Sequence, residues 1–121
     1  MDKLDLKLRT KQFALRVIRL VDSLPNNNSG RAIGNQLIRS GTSIGANYRS
    51  ACLGRSKADF IAKLGIALEE ADESIYWMEL IIEGNLIKKD LVEPLLTEAK
   101  ELTSIFHASI KTARRNKINL K

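Results

Sequence analysis

Residues Ile61–Ile82, IAKLGIALEEADESIYWMELII, decide the fold. Their apolar positions Ile61, Leu64, Leu68, Ala71, Ile75, Met78 and Ile82 step by 3, 4, 3, 4, 3 and 4. That spacing keeps them on one side of a helix of 3.6 residues per turn and fits no strand, where side chains alternate every second residue. Ser56 followed by Asp59 predicts a capping box with Asp in the Glu position, and Gly84-Asn85 a stop. The predicted helix, 57–83, is about 40 Å long at 1.5 Å per residue.

The same step recurs on both sides. Phe13, Val17, Leu20 and Leu24 predict a helix over 6–24, ended by Pro25 and the turn-forming Asn26–Gly30. Ile33, Leu37, Gly41, Ile44, Tyr48 and Ala51 predict a second over 30–53, closed by Gly54. Leu95, Ala99, Leu102, Phe106, Ser109 and Ala113 predict a fourth over 91–115, capped by Asp90 with Glu93 and with Pro94 in its first turn. Four helices on short loops make an all-α, left-handed, up-down-up-down antiparallel four-helix bundle, expected as one domain over 1–121. The basic tail 116–121 lies beyond the last seam residue and is expected to fray. Helix two is rich in glycine (Gly30, Gly34, Gly41, Gly45), although each interior Gly costs about 1 kcal/mol relative to Ala. Gly34, Gly41 and Gly45 fall within about 40° on a helical wheel. Close approach of a neighbouring helix accounts for them, with a kink near Gly41 as the other account.

Composition sets outer limits. The 121 residues are 44% apolar and 28% charged, with net charge +6, as in an ordinary soluble globule. One cysteine, Cys52, excludes an intrachain disulfide and with it a disulfide-scaffolded secreted module. No signal peptide is visible in MDKLDLKLRTK and no 18 apolar residues run together, so a cytoplasmic, non-membrane protein is expected.

One family resemblance rests on three blocks: Ile38–Ala51, IRSGTSIGANYRSA, with Cys52 to Ser56 after it; Phe60–Leu64; and Glu69–Leu80, EEADESIYWMEL. Together they resemble the four-helix proteins encoded in intervening sequences of bacterial 23S ribosomal RNA genes. That family is similar in turn to the accessory variability proteins of diversity-generating retroelements. The resemblance covers about residues 13–115. Its commoner form has Ile-Ala-Glu-Gly after the asparagine, where this chain has Tyr48-Arg49-Ser50-Ala51 after Asn47. The resemblance implies a homopentamer, no catalysis and a nucleic-acid-binding accessory role.

Charge is unevenly placed. Residues 1–63 carry 12 Lys/Arg against 4 acids, and residues 64–121 carry 8 against 10. Arg31 and Arg49 share an azimuth on helix two with Arg39 nearby; Arg9, Gln12, Arg16 and Arg19 form an arc on helix one; Lys100, His107, Lys111 and Arg114 form another on helix four, with Arg115 beside it. Cations on an acid-free face suit phosphate contact, because each contact releases counterions. A solvated face is the plainer account of any one arc. These cations are the candidate nucleic-acid contacts, RNA before DNA, at phosphates rather than bases because no aromatics interleave with them. An acidic protein docked on the same basic surface is the alternative.

Structural duties compete for some polar groups. An antiparallel pairing of helices two and three sets Arg39 opposite Glu69 and Glu70, as a salt bridge or else a ligand contact. Ser43 and Asn47 are expected to hydrogen-bond between helices. Leu4, Leu8, Leu15 and Ile18 form a second apolar stripe on helix one, and Tyr76, Trp77 and Leu80 lie off the seam of helix three. A monomer would expose these residues, so they are the expected oligomer interface. A di-metal carboxylate site needs Glu-x-x-His, and Ser104 stands three residues before the only histidine, His107, so no metal or cofactor is expected. Cys52 reads as a small core residue, and no phosphate loop or zinc motif is present, so no enzyme is expected.

Overall fold

The computed structural model describes residues 1–116. Its elements are α1 (Lys3–Asp22), α2 (Asn28–Cys52), α3 (Lys57–Glu83) and α4 (Lys89–Asn116). No strand occurs among the described residues. α1 and α3 each pack against both α2 and α4, so α1 and α3 sit on a diagonal of a four-helix bundle. Lys3, Cys52, Lys57 and Asn116 line one groove, which brings the start of α1, the end of α2, the start of α3 and the end of α4 to the same end. The fraying expected of 116–121 lies, apart from Asn116, outside the described residues.

Side chains that satisfy orphan backbone N–H groups set the helix starts. Asp2 accepts from Asp5 N at 2.8 Å, so α1 begins three residues earlier than the apolar seam suggested. Asn27 accepts from Gly30 N at 2.8 Å and opens α2. Ser56 accepts from Asp59 N at 3.0 Å, but Asp59 takes the Arg55 N–H rather than closing the box on Ser56. α4 starts at Lys89, so Asp90 lies inside its first turn instead of capping it, and Pro94 falls beyond that turn. α3 stops where Asn85 takes the left-handed conformation, φ 55.

The core follows the seams with one rotation. Phe13, Val17, Leu37, Ile44, Leu64, Met78, Leu102 and Phe106 are fully buried. On α3, Ala67, Ser74 and Ile81 are buried, whereas the expected Leu68, Ile75 and Ile82 are only half-buried. The buried arc of α3 is centred about one residue away from the line its largest side chains mark. Small residues bring α1 and α2 together, and helix spacing shrinks with the side chains between the axes. A Cβ on Gly41 would lie 2.8 Å from Val17 Cγ2, one on Gly34 3.2 Å from Leu24 Cδ1, and one on Gly45 3.2 Å from Thr10 Oγ1. Helix two stays continuous through Gly41, so close packing accounts for the glycines.

Candidate nucleic-acid interface

Before a cation can hold phosphate it must be free of carboxylates. Two arginines fail this condition. Arg9 Nε donates to Glu98 Oε2 at 2.6 Å, and its Nη2 donates to Glu98 Oε1 and Glu101 Oε1, both at 2.7 Å. It is therefore the tie between α1 and α4, not part of a phosphate-binding arc. The hydrogen bond to Glu98 holds its guanidinium well above the ordinary arginine range. Arg39 donates to Glu70 at 3.3 Å and to Glu73 at 2.5 Å, joining α2 to α3. The expected partner Glu69 points to solvent, while Glu70 and Glu73, three residues apart, share the flank that meets α2.

These carboxylates titrate in opposite directions. Burial, helped by neighbouring Glu73, pushes Glu70 above the usual range, while the bond from Arg39 pulls Glu73 below it. A depressed folded-state pKa stabilises above the ordinary Glu range and is lost as pH falls through the folded value. A raised one means that ionised Glu70 weighs against the fold at neutral pH. Accordingly Glu73→Gln lowers the neutral-pH melting temperature and Glu70→Gln does not. The Glu73→Gln difference closes in acid, where the wild-type carboxyl is also protonated. Thermal melts followed by circular dichroism at both pH values check this, and equal losses from the two variants would contradict it.

Ser43 and Asn47 do not bridge helices. Ser43 Oγ donates to Arg39 O at 2.6 Å and Asn47 Nδ2 to Ser43 O at 2.8 Å, so both serve the backbone of α2. The buried inter-helix bond is Ser40 to Ser74, 2.9 Å.

The remaining cations lie on several faces. Arg31 donates to the neutral Asn26 and Asn28 side chains, which fix it at the α1–α2 turn. It shares an azimuth with Arg49 but stands about 27 Å from it along α2. Arg16 and Arg19 line a groove with Leu91 and Pro94, at the end of the bundle where α4 begins. Arg49 lines a groove of about 480 Å³ between α1 and α2, together with Lys7 and Lys11. On α4, Lys100, Ser104, His107, Lys111 and Arg115 are exposed, opposite buried Ala99, Leu102, Phe106, Ile110 and Ala113. Beyond Glu101 α4 has no acid, and Arg114 and Arg115 also complement the negative C-terminal end of its dipole.

Folding adds residues that the sequence arcs missed. Lys3, Arg55 and Lys57 belong to the same end of the bundle as Lys111, Arg114 and Arg115, and of these Lys3 and Lys57 line a groove of about 660 Å³ there. Of the three acids at that end, Asp2 is occupied as a cap, Asp59 pairs with Lys63, and Asp5 is exposed in the first turn of α1. The signal was present in the chain order, since an antiparallel bundle gathers residues near 3, 56 and 115. Lys3 also lies 5.1 Å from the centroid of the Phe60 ring.

Cys52 is half-buried beside Tyr48, whose phenol is pushed up by burial and then by Cys52. His107 is exposed on α4 and does not line the groove that Cys52 lines. Among the described residues no cluster of three His, Cys, Asp or Glu side chains could hold a metal, and no helix is long and apolar enough to cross a membrane.

Residues 2–108 match the sequence profile of the 23S rRNA-intervening sequence protein family. A solved structure with TM-score 0.85 and 39% sequence identity covers 92% of this chain and 99% of its own. It is a 1.70 Å crystal structure of a protein of unknown function from the S23 ribosomal protein family of Bacteroides thetaiotaomicron VPI-5482. No curated protein matches the chain.

Proposed function

The chain belongs to the 23S rRNA-intervening sequence protein family, and from that premise we propose that it is a non-enzymatic, cytoplasmic accessory protein that binds nucleic acid as a homo-oligomer. The observation that carries the binding is the basic end of the bundle, where Lys3, Arg55, Lys57, Lys111, Arg114 and Arg115 pair with no acid among the described residues. RNA is the first ligand to test, because the family is named for 23S rRNA. Binding is to phosphates and helical shape, since no row of exposed aromatics stands there to stack bases. The family resemblance makes a pentamer the expected oligomer. Five copies at +6 each then present one long-range positive field.

Filter binding of a structured RNA, from low to near-physiological salt, tests this. Lys111→Gln, Arg114→Gln and Arg115→Gln combined flatten the log–log salt slope by roughly one unit for each phosphate no longer neutralised, with helicity unchanged. Arg31→Gln, at the opposite end and held by asparagines, leaves the slope as it was. An unchanged slope in the triple variant overturns the basic end as the site. Absence of binding to RNA, duplex DNA and an RNA–DNA hybrid at low salt overturns the nucleic-acid reading and leaves the docking of an acidic protein partner.

A further inference from the structure

Apart from Met1, Leu53 in the α2–α3 loop and Leu91 on α4, the large apolar residues that the bundle exposes lie on two helices of opposite charge. Leu4, Leu8, Leu15 and Ile18 are exposed on α1, and with Lys11 they step by 4, 3, 4 and 3 on the side away from the core. This is a second complete seam on one helix. No acid occurs between Leu6 and Val21 or anywhere in α2, and Lys7, Lys11 and Arg49 flank the stripe without ion-pair partners among the described residues. α3 is the reverse. Ile66 and Tyr76 are exposed there and Leu80 is half-buried. Around them stand Glu69, Asp72, Glu79 and Glu83, likewise unpaired among the described residues. From Leu64 to Ile87 the chain has no Lys or Arg. Trp77 is corrected from exposed anchor to half-buried, packed against the core and edge-on to Tyr76 at 5.0 Å.

We infer that the α1 stripe seats on the outward face of α3 in a second copy of this chain. The inference rests on the self-association proposed above and names its two faces. Charge chooses the pairing: α1 on α1 would oppose Lys7, Lys11 and Arg49 to their own copies, α3 on α3 would oppose carboxylates, and only α1 on α3 brings unlike charges together. Lys11, inside an apolar seam, then meets a carboxylate and fixes the register, as a polar residue does in a coiled-coil seam. Length agrees as well. Leu4 to Ile18 and Ile66 to Leu80 are both 14-residue spans, about 21 Å.

The two faces differ and lie across the bundle diagonal, so one two-fold axis cannot satisfy both; contact is head-to-tail, giving a ring or a filament. Both faces lean toward α2. Leu4 and Leu8 share a groove with Thr42, Ala46 and Arg49, while Ile66 and Trp77 stand one turn from Glu70 and Glu73, the partners of Arg39. Faces that diverge by less than a half-turn carry successive copies around a common axis, and a ring closes where that rotation divides a full turn without a rise. A cyclic ring sets every basic end on the same side.

Two variants at exposed positions test the pairing: Leu15→Glu with Ile18→Glu on α1, and Glu69→Lys with Tyr76→Lys on α3. Each alone sediments as a helical monomer at 13.5 kDa. An equal mixture, at the highest concentration at which both stay soluble, sediments at twice that mass, because each supplies the face that the other lacks. Full wild-type mass in either variant, or no mixed dimer although the wild type is oligomeric, overturns the pairing. A monomeric wild type removes self-association itself, a result distinct from either of those.

Discussion

Gly41→Leu lowers stability by about 4 kcal/mol or more, while Gly41→Ala lowers it by roughly 1–2 kcal/mol even though alanine is the better helix former. Both effects follow from the α1–α2 contact. A Cβ at Gly41 meets Val17 Cγ2 at 2.8 Å and Cγ1 at 2.9 Å. Val17 is branched at Cβ and holds one χ1 rotamer in a helix, so it cannot turn aside. Either the helices part or the side chain is strained, and α1 has little contact with α4 to compensate. Val17→Ala removes the two opposing carbons, so Val17→Ala with Gly41→Ala is less destabilised than the sum of the single changes. Gly65 supplies the contrast: it lies within α3 with nothing inside 4 Å of its notional Cβ. Gly65→Ala therefore gains up to about 1 kcal/mol. Urea denaturation of the five variants is the measurement. Additive losses at Gly41 and Val17 would show that their contact does not set the helix spacing.

Arg9→Met lowers stability by about 1–2 kcal/mol. The loss exceeds that of a surface ion pair because the Arg9 and Glu98 side chains are only 25% and 16% exposed. Removing the guanidinium strands the Glu98 carboxylate against α1, without the two bonds that occupied both of its oxygens. Arg9→Met with Glu98→Met recovers much of the loss, since no unpaired charge is then left in the interface. Arg39→Met has the smaller effect, because that side chain is 49% exposed. Unfolding midpoints that rank Arg39→Met as the more harmful change would show that α2–α3, not α1–α4, depends on its ion pair.

Local spacing determined the number of the helices and the phase of α1, α2 and α4. Every seam residue named on α1, α2 and α4 is buried or half-buried, because a side chain's azimuth on its own helix depends only on its position. The acid-free run from Ser23 to Ala58 and the base-free run from Leu64 to Ile87 were equally plain from the residues, and so was the second stripe on α1. Rotation and offset between helices are different quantities, fixed by which side chains interlock across the interface, and no periodicity within one helix reports them. For that reason α3 buries Ala67, Ser74 and Ile81 rather than the larger Leu68, Ile75 and Ile82. For the same reason Arg39 meets Glu73 as well as Glu70 and misses Glu69, and Arg9 is consumed by carboxylates 89 and 92 positions away. Which cations remain free, and that Lys3, Arg55 and Lys57 join Lys111, Arg114 and Arg115 at one end, was decided only when four antiparallel axes came together.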